Sequence, residues 1–156
     1  MAIAETLKAF LDGHGVDYQV VTHAHTPSAN RSAEAAHVPG DSLAKAVVLE
    51  NGGQLLLAAL PATRRLKLGR LHQALGEHVG LATEAEMGRL FPDCERGAVP
   101  ALGAAYGMET LLDDSLAAQD DVYIEGGDHE SLIHLSGESF RTLLGQARHG
   151  DFSTHV

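Results

Sequence analysis

The sequence contains one cysteine, Cys94, so no internal disulfide can form and stability has to come from a packed core. That usage fits a reducing compartment. No apolar run approaches the length of a membrane span. The opening stretch carries Glu5, Lys8 and Asp12 inside its apolar pattern, which reads as an amphipathic helix rather than a signal peptide. The expected location is the cytoplasm. Basic residues are scarce: 11 Lys and Arg stand against 21 Asp and Glu, for a net charge of −10. This argues against broad binding to nucleic acid, DNA included, and leaves room only for a small end-recognition site. Cys94 has no CxxC partner, and no HExxH, G-x-S-x-G or P-loop pattern occurs, so no motif supports a metal site, a serine nucleophile or a nucleotide cradle.

What the chain does have is enough apolar material for a core: 156 residues, 44% of them hydrophobic, which suits one domain. Ile3, Leu7, Phe10 and Leu11 recur at helical spacing before Gly13. Tyr18 to Thr22 reads as a strand, and His23 to Asn30, with Pro27, as a polar loop. Ser32 is placed as the cap of a short helix stopped by Pro39-Gly40. Leu43 to Leu49 and Gln54 to Leu60 read as two strands joined at Asn51-Gly52-Gly53. A helix is expected from near Leu66 to Leu75, and another after the Thr83/Glu86 capping box. Glu109 to Asp113, Val122 to Glu125 and Ser131 to Leu135 read as strands, and Ser136 caps a last helix through Leu144. The tail, 147–156, is expected to fray. Strands and helices mix without strict alternation. The pattern predicts a single α/β domain of α+β character, with a mixed, largely antiparallel sheet packed against helices.

Three stretches carry candidate chemistry. Gly97, Pro100, Gly103 and Gly107 fall within eleven positions, and GAVPALG has almost no polar side-chain atoms. If this loop binds a ligand, it does so with backbone groups; an ordinary surface loop has the same composition. Lys45 lies among Ala44, Ala46, Val47 and Val48. It is either a cation aimed into a pocket or a plain strand lysine turned outward. Arg64, Arg65, Lys67 and Arg70 gather four of the eleven basic residues, as a phosphate contact or a solvated helix face. The pair His23-x-His25 fits a structural role better than a metal site. Asp128-His129-Glu130 offers a single substrate-facing His129 rather than a triad, and Cys94 reads as incidental.

Taken in order, LAKAVVL, LPATRRLKLGRL, FPDCERGAVPALG and VYIEGGDHESLIHLSGESF resemble the YbaK-type aminoacyl-tRNA editing domain family, from about Tyr18 to Leu144. That family includes stand-alone deacylases and the editing insertion of bacterial prolyl-tRNA synthetases. The most specific marks are Lys45 and the loop glycines and proline Gly97, Pro100 and Gly103. The resemblance implies a sheet with barrel-like curvature and hydrolysis of the ester joining a wrong amino acid to the tRNA 3′ end. It implies no metal or organic cofactor. The partners it implies are the aminoacyl-tRNA 3′ end and, in some relatives, a synthetase. By resemblance, Lys45 anchors the 3′-terminal nucleotide or the aminoacyl carbonyl, and Gly97, Ala98 and Gly103 hold and polarise the ester carbonyl. Tyr18, Val99, Pro100 and Leu102 are then expected to form the substrate pocket, with water or a substrate group attacking; His129 is expected to line it too, though the motif does not carry it. Two positions depart from the pattern. Ala46 follows the lysine where many relatives carry Thr or Asn, and Ser131-Leu132 offers no acid where the cysteine-specific type has one. A non-catalytic binding module of the same fold and a histidine-rich metal protein are the competing readings.

Overall fold

The structure is a computed structural model that describes residues 3–26, 28–76, 78–145 and 147–155. Pro27 of the expected polar loop and Val156 of the tail lie outside these residues. Leu7 and Leu11, one helical turn apart, are fully buried and give α1 (Glu5–Gly13) its inner face, with Lys8 and Asp12 paired at 2.6 Å outside. Strand β1 (Gln19–Thr22) follows. Next comes α2 (Ala29–Ala36), capped by Ser28, whose hydroxyl accepts from the Arg31 N–H. Ser32, expected as the cap, is instead buried inside the helix.

Strands β2 (Leu43–Asn51) and β3 (Gln54–Pro61) form a hairpin whose two-residue loop, Gly52-Gly53, has φ of 57° and 87°. Both values lie in the left-handed region that such a turn requires and that glycine takes without strain. The basic stretch opens as a strand, β4 (Arg64–Leu66), rather than as a helix; α3 (Leu68–Leu75) begins only after Lys67 and ends at left-handed Gly76. The short β5 (Gly80–Leu81) precedes α4 (Glu84–Leu90), where Thr83 and Glu86 form the expected capping box. After the glycine-proline loop come β6 (Glu109–Asp113), α5 (Asp114–Ala117), β7 (Asp121–Glu125) and β8 (Ser131–Ser136). Then α6 (Gly137–Leu144) is capped by the Ser136 hydroxyl, which accepts from Ser139 N at 3.0 Å.

The tail is not frayed. It forms β9 (Arg148–Gly150) beside β6 and β10 (Ser153–His155) beside β4, and between them Phe152 is 2% exposed. Burying that ring is worth about 2–3 kcal/mol, enough to hold two three-residue strands that propensity alone would not.

The main sheet runs β1-β8-β7-β2-β3-β6-β9, with β5 added against β2. Among the described residues four of its strand pairs are antiparallel and three, β2–β7, β3–β6 and β6–β9, are parallel, while β10 and β4 form a separate antiparallel pair. This is the mixed sheet with flanking helices that the sequence pattern predicts. Period-two alternation divides it into two faces. On one, Ala44, Val48, Leu57, Leu112, Ile124 and Ile133 pack with α1 and α6. On the other, Leu43 and Leu132 meet Ala33 of α2, while Leu49, Leu56 and Leu111 meet Leu71 of α3 and Phe152.

Candidate functional site

The parallel pairing of β2 with β7 matches Leu43 to Tyr123 and Ala44 to Ile124. Leu43 and Tyr123 both belong to the cluster under α2. One step further along each strand stand Lys45 and, on β7, Glu125. They therefore leave neighbouring strands on that same face, at the end of the sheet where β7 turns into β8. Lys45 is half-buried, and its side chain makes no hydrogen bond or ion pair with any described residue. Burial, and then the nearby Arg65 guanidinium, hold its ammonium below the usual lysine range.

Glu125 is 1% exposed, and neither of its carboxylate oxygens has a hydrogen-bond partner. The Ser32 hydroxyl lies near enough to favour the ionised form, but its own bond, at 2.6 Å, is to Thr26 Oγ1. Burial, helped by the Asp128 charge, outweighs it and pushes the Glu125 carboxyl up to about 7.

The turn after Glu125 is built by Asp128. Its carboxylate accepts from Glu130 N at 2.9 Å, Ser131 N at 2.8 Å and the Ser131 hydroxyl at 3.0 Å. Asp128 is thus spent on the turn and does not orient His129. The His129 backbone is left-handed, with φ of 59°, and its ring Nε2 donates to the Arg96 carbonyl. A second bond, Glu95 N to Gly127 O at 2.7 Å, ties the glycine-proline segment to this turn. From the other side, His23 N donates to Glu130 O and Thr26 N to His129 O. His25 completes the group, with Nε2 3.3 Å from Glu95 Oε1 and its ring 5.4 Å from that of His129.

Five buried side-chain atoms among the described residues lack a hydrogen-bond partner, and all belong to this end of the sheet: His23 Nε2, Glu95 Oε2, both oxygens of Glu125, and His129 Nδ1. Their chemistry is uniform. His23 Nδ1 faces the Ala24 carbonyl, and His129 Nε2 faces that of Arg96. A carbonyl only accepts, so these nitrogens carry the proton and the other ring nitrogens are bare acceptors in the neutral rings. All five orphan atoms are then acceptors. Among the described residues, no three His, Cys, Asp or Glu side chains converge as a metal site would require.

The glycine-proline loop divides into two parts. Gly97, at φ of 81°, and Val99 line a cleft of about 360 Å³ together with Phe91, Cys94 and Met87, and their N–H groups have no partner among the described residues. The remainder is structural. Ala98 N donates to Glu95 O at 3.1 Å, and Gly103 N to Thr110 Oγ1 at 2.8 Å. A Cβ at Gly103 would lie 2.6 Å from that hydroxyl and 2.9 Å from Met108 O. Leu102 is fully buried in the core, and Pro100 is buried too. The expectation that Ala98 and Gly103 polarise an ester carbonyl is therefore revised, because their donors are already committed. The same holds for Leu102 as a pocket side chain.

Tyr18 also lies elsewhere. Its hydroxyl donates to Asp12 at 3.1 Å, and it flanks the end of β1 that pairs with His134, away from the β7–β8 turn. The basic cluster splits in two. Arg64 donates to the Ser153 hydroxyl and carbonyl at 2.7 and 2.9 Å, and Arg70 to Ser153 O at 3.1 Å, so both brace the C-terminal strand. Arg65 and Lys67 are exposed. Cys94 is half-buried, and burial pushes its thiol up to about 11, which leaves it a poor nucleophile.

Sequence reasoning missed Glu125. The available signal was alternation: in Val122-Tyr123-Ile124-Glu125 an inward Tyr123 implies an inward Glu125.

The segment at Glu95 and Arg96 is tied to the β7–β8 turn; Lys45 and Glu125 lie on one face of the sheet there, and the cleft lined by Phe91 and Val99 packs with the core of the other. The chain belongs to the aminoacyl-tRNA editing domain family, which it matches over residues 23–143. No curated protein matches the sequence. Among solved structures, a scaffold protein from computational epitope grafting is 20% identical, with a TM-score of 0.84 over 98% of this chain and 97% of that one. A hypothetical protein is 21% identical, with a TM-score of 0.84 over 96% and 100%. A candidate trans-editing enzyme for prolyl tRNA synthetase is 24% identical, with a TM-score of 0.82 over 97% and 96%. At these identities the likeness is one of fold. Among the described residues no helix is long and apolar enough to cross a membrane.

Proposed function

We propose that this protein is a trans-editing hydrolase that cleaves the ester between a wrongly attached amino acid and the 3′ end of its tRNA. The observation that carries the reading is Lys45, a half-buried cation without a counter-ion in a protein of net charge −10. A lysine held that way is costly unless a ligand supplies the missing anion. The terminal phosphate of the tRNA does so, and exposed Arg65 and Lys67 extend the positive strip along the acceptor strand. The N–H groups of Gly97 and Val99 are the available donors for the ester carbonyl, whose oxygen gains charge as water adds to the carbon. The carbon–oxygen bond to the ribose then breaks, and the ribose oxygen leaves with a proton.

The family match supports this substrate class. Cys94, the side chain in the cleft that could attack, is held by burial in its protonated form beside Asp93, which supports water or a substrate hydroxyl as the attacking group. The test is a panel of misacylated tRNAs scored for release of free amino acid. Release at least tenfold above the spontaneous rate on one member supports the reading. A flat panel makes the protein a non-catalytic module of the same fold.

A further inference from the structure

We propose that Glu125 forms an ammonium-binding subsite, which takes the α-ammonium group of the aminoacyl ester. The proposal rests on the editing reading above for the identity of the ligand, but its geometry stands independently. Glu125 is 1% exposed with both oxygens unpartnered, which no soluble domain maintains without cost. The other orphan atoms at this end of the sheet, Glu95 Oε2, His23 Nε2 and His129 Nδ1, are acceptors as well. Around Glu125 itself the unpartnered buried atoms are acceptors, which favours a group rich in N–H over a carboxylate. An ammonium supplies three donors and the positive charge that a buried carboxylate lacks.

The neighbouring strand carries the complement. Lys45 and Glu125 stand one step beyond the last matched pair of β2 and β7, on strands about 4.8 Å apart. An aminoacylated 3′ end has this same polarity: a cationic nitrogen one carbon from the ester carbonyl, with anionic phosphate on the nucleotide side. The Ser32 hydroxyl, bonded to Thr26, lies beside Glu125 on the α2 side.

The test uses 3′-aminoacylamino-3′-deoxyadenosine, whose amide is not hydrolysed, with its amine either free or acetylated. Titration calorimetry on the full chain should show the free amine binding roughly 10- to 100-fold more tightly, as expected for charge-assisted hydrogen bonds to a buried carboxylate. Glu125→Gln keeps the shape and should abolish that preference while leaving affinity for the acetylated form unchanged. Equal affinity of the wild-type protein for the two forms overturns the subsite, as does an amine preference that survives in Glu125→Gln or an analogue that fails to bind in either form. Hydrolysis is not needed for the readout. A subsite that fails beside an active deacylase, and a subsite that holds in an inactive protein, are therefore separate results.

Discussion

Replacing Lys45 with Met separates its two contributions, to folding and to binding. Two opposite charges about 4 Å apart attract by about 1 kcal/mol in water and about 4 kcal/mol at an effective dielectric constant of about 20. Lys45 is half-buried, so a contact to substrate phosphate falls between these limits, at about 2–3 kcal/mol, or roughly a 30- to 150-fold loss in kcat/KM. Stability should move the other way. Burial lowers the ammonium's pKa in the folded state below its unfolded value of 10.5, so the unfolded chain binds the proton more tightly. The folded state is therefore penalised at neutral pH, and the penalty fades only as pH rises towards 10.5. Methionine fills similar space without the charge, so the thermal midpoint at pH 7 should stay level or rise. The assay pairs single-turnover deacylation of the best misacylated tRNA with a melting curve of the same preparation. A loss under threefold, or a midpoint that falls in step with activity, refutes the assignment of Lys45 to the ligand.

Neutralising Arg65 and Lys67 together should raise KM and reduce the salt slope of log KM by about 1–2, with kcat nearly unchanged. Arg64→Gln, by contrast, should lower the thermal midpoint, because it removes two bonds to Ser153. Gly103→Ala should cost about 1–3 kcal/mol of stability, since its methyl would meet Thr110 Oγ1 and Met108 O, and activity should fall only as folding does. Gly97→Ala puts a side chain at φ of 81°, at about 1–2 kcal/mol, and should reduce turnover beyond that loss, which chemical denaturation and kinetics measured together would resolve. For Glu125 the folded pKa, about 7, lies above the ordinary 4.5, so folding takes up a proton between these values. Stability should therefore fall by about 3 kcal/mol as pH rises from about 4.5 to 7 and level off above that; Glu125→Gln should flatten this portion of the melting profile.

Elements that announce themselves locally were legible in the sequence. The capping box at Thr83, the Asn51-Gly52-Gly53 turn and the Ser136 cap each satisfy backbone groups within four residues, and each is present. The short strands were not legible. β4, β9 and β10 have three residues each, too few for periodicity, and are fixed by partners far away in the sequence, as His155 is by Arg64. Arg64 shows the same limit at a side chain: the cluster it belongs to is obvious in sequence, but its commitment to Ser153 is not. Lys45 was singled out because an apolar strand makes a lysine conspicuous. Glu125 escaped because a glutamate before Gly126-Gly127 looks like the start of a solvated turn. Only the pairing of β7 between β2 and β8 encloses it.

The pairing of β10 with β4 has a practical consequence for handling the protein. Ser153 to His155 lie directly against Arg64 to Leu66, so a purification tag fused at this end starts close to where Arg64 faces His155. An acidic tag there would compete with a polyanion for the neighbouring arginines, and a truncation designed to trim the tail would remove the brace on Arg64 and Arg70 and uncover the Phe152 site. An inactive preparation tagged or shortened at this end therefore says nothing about the native protein, and an amino-terminal tag, removed before assay, is the form in which to measure it.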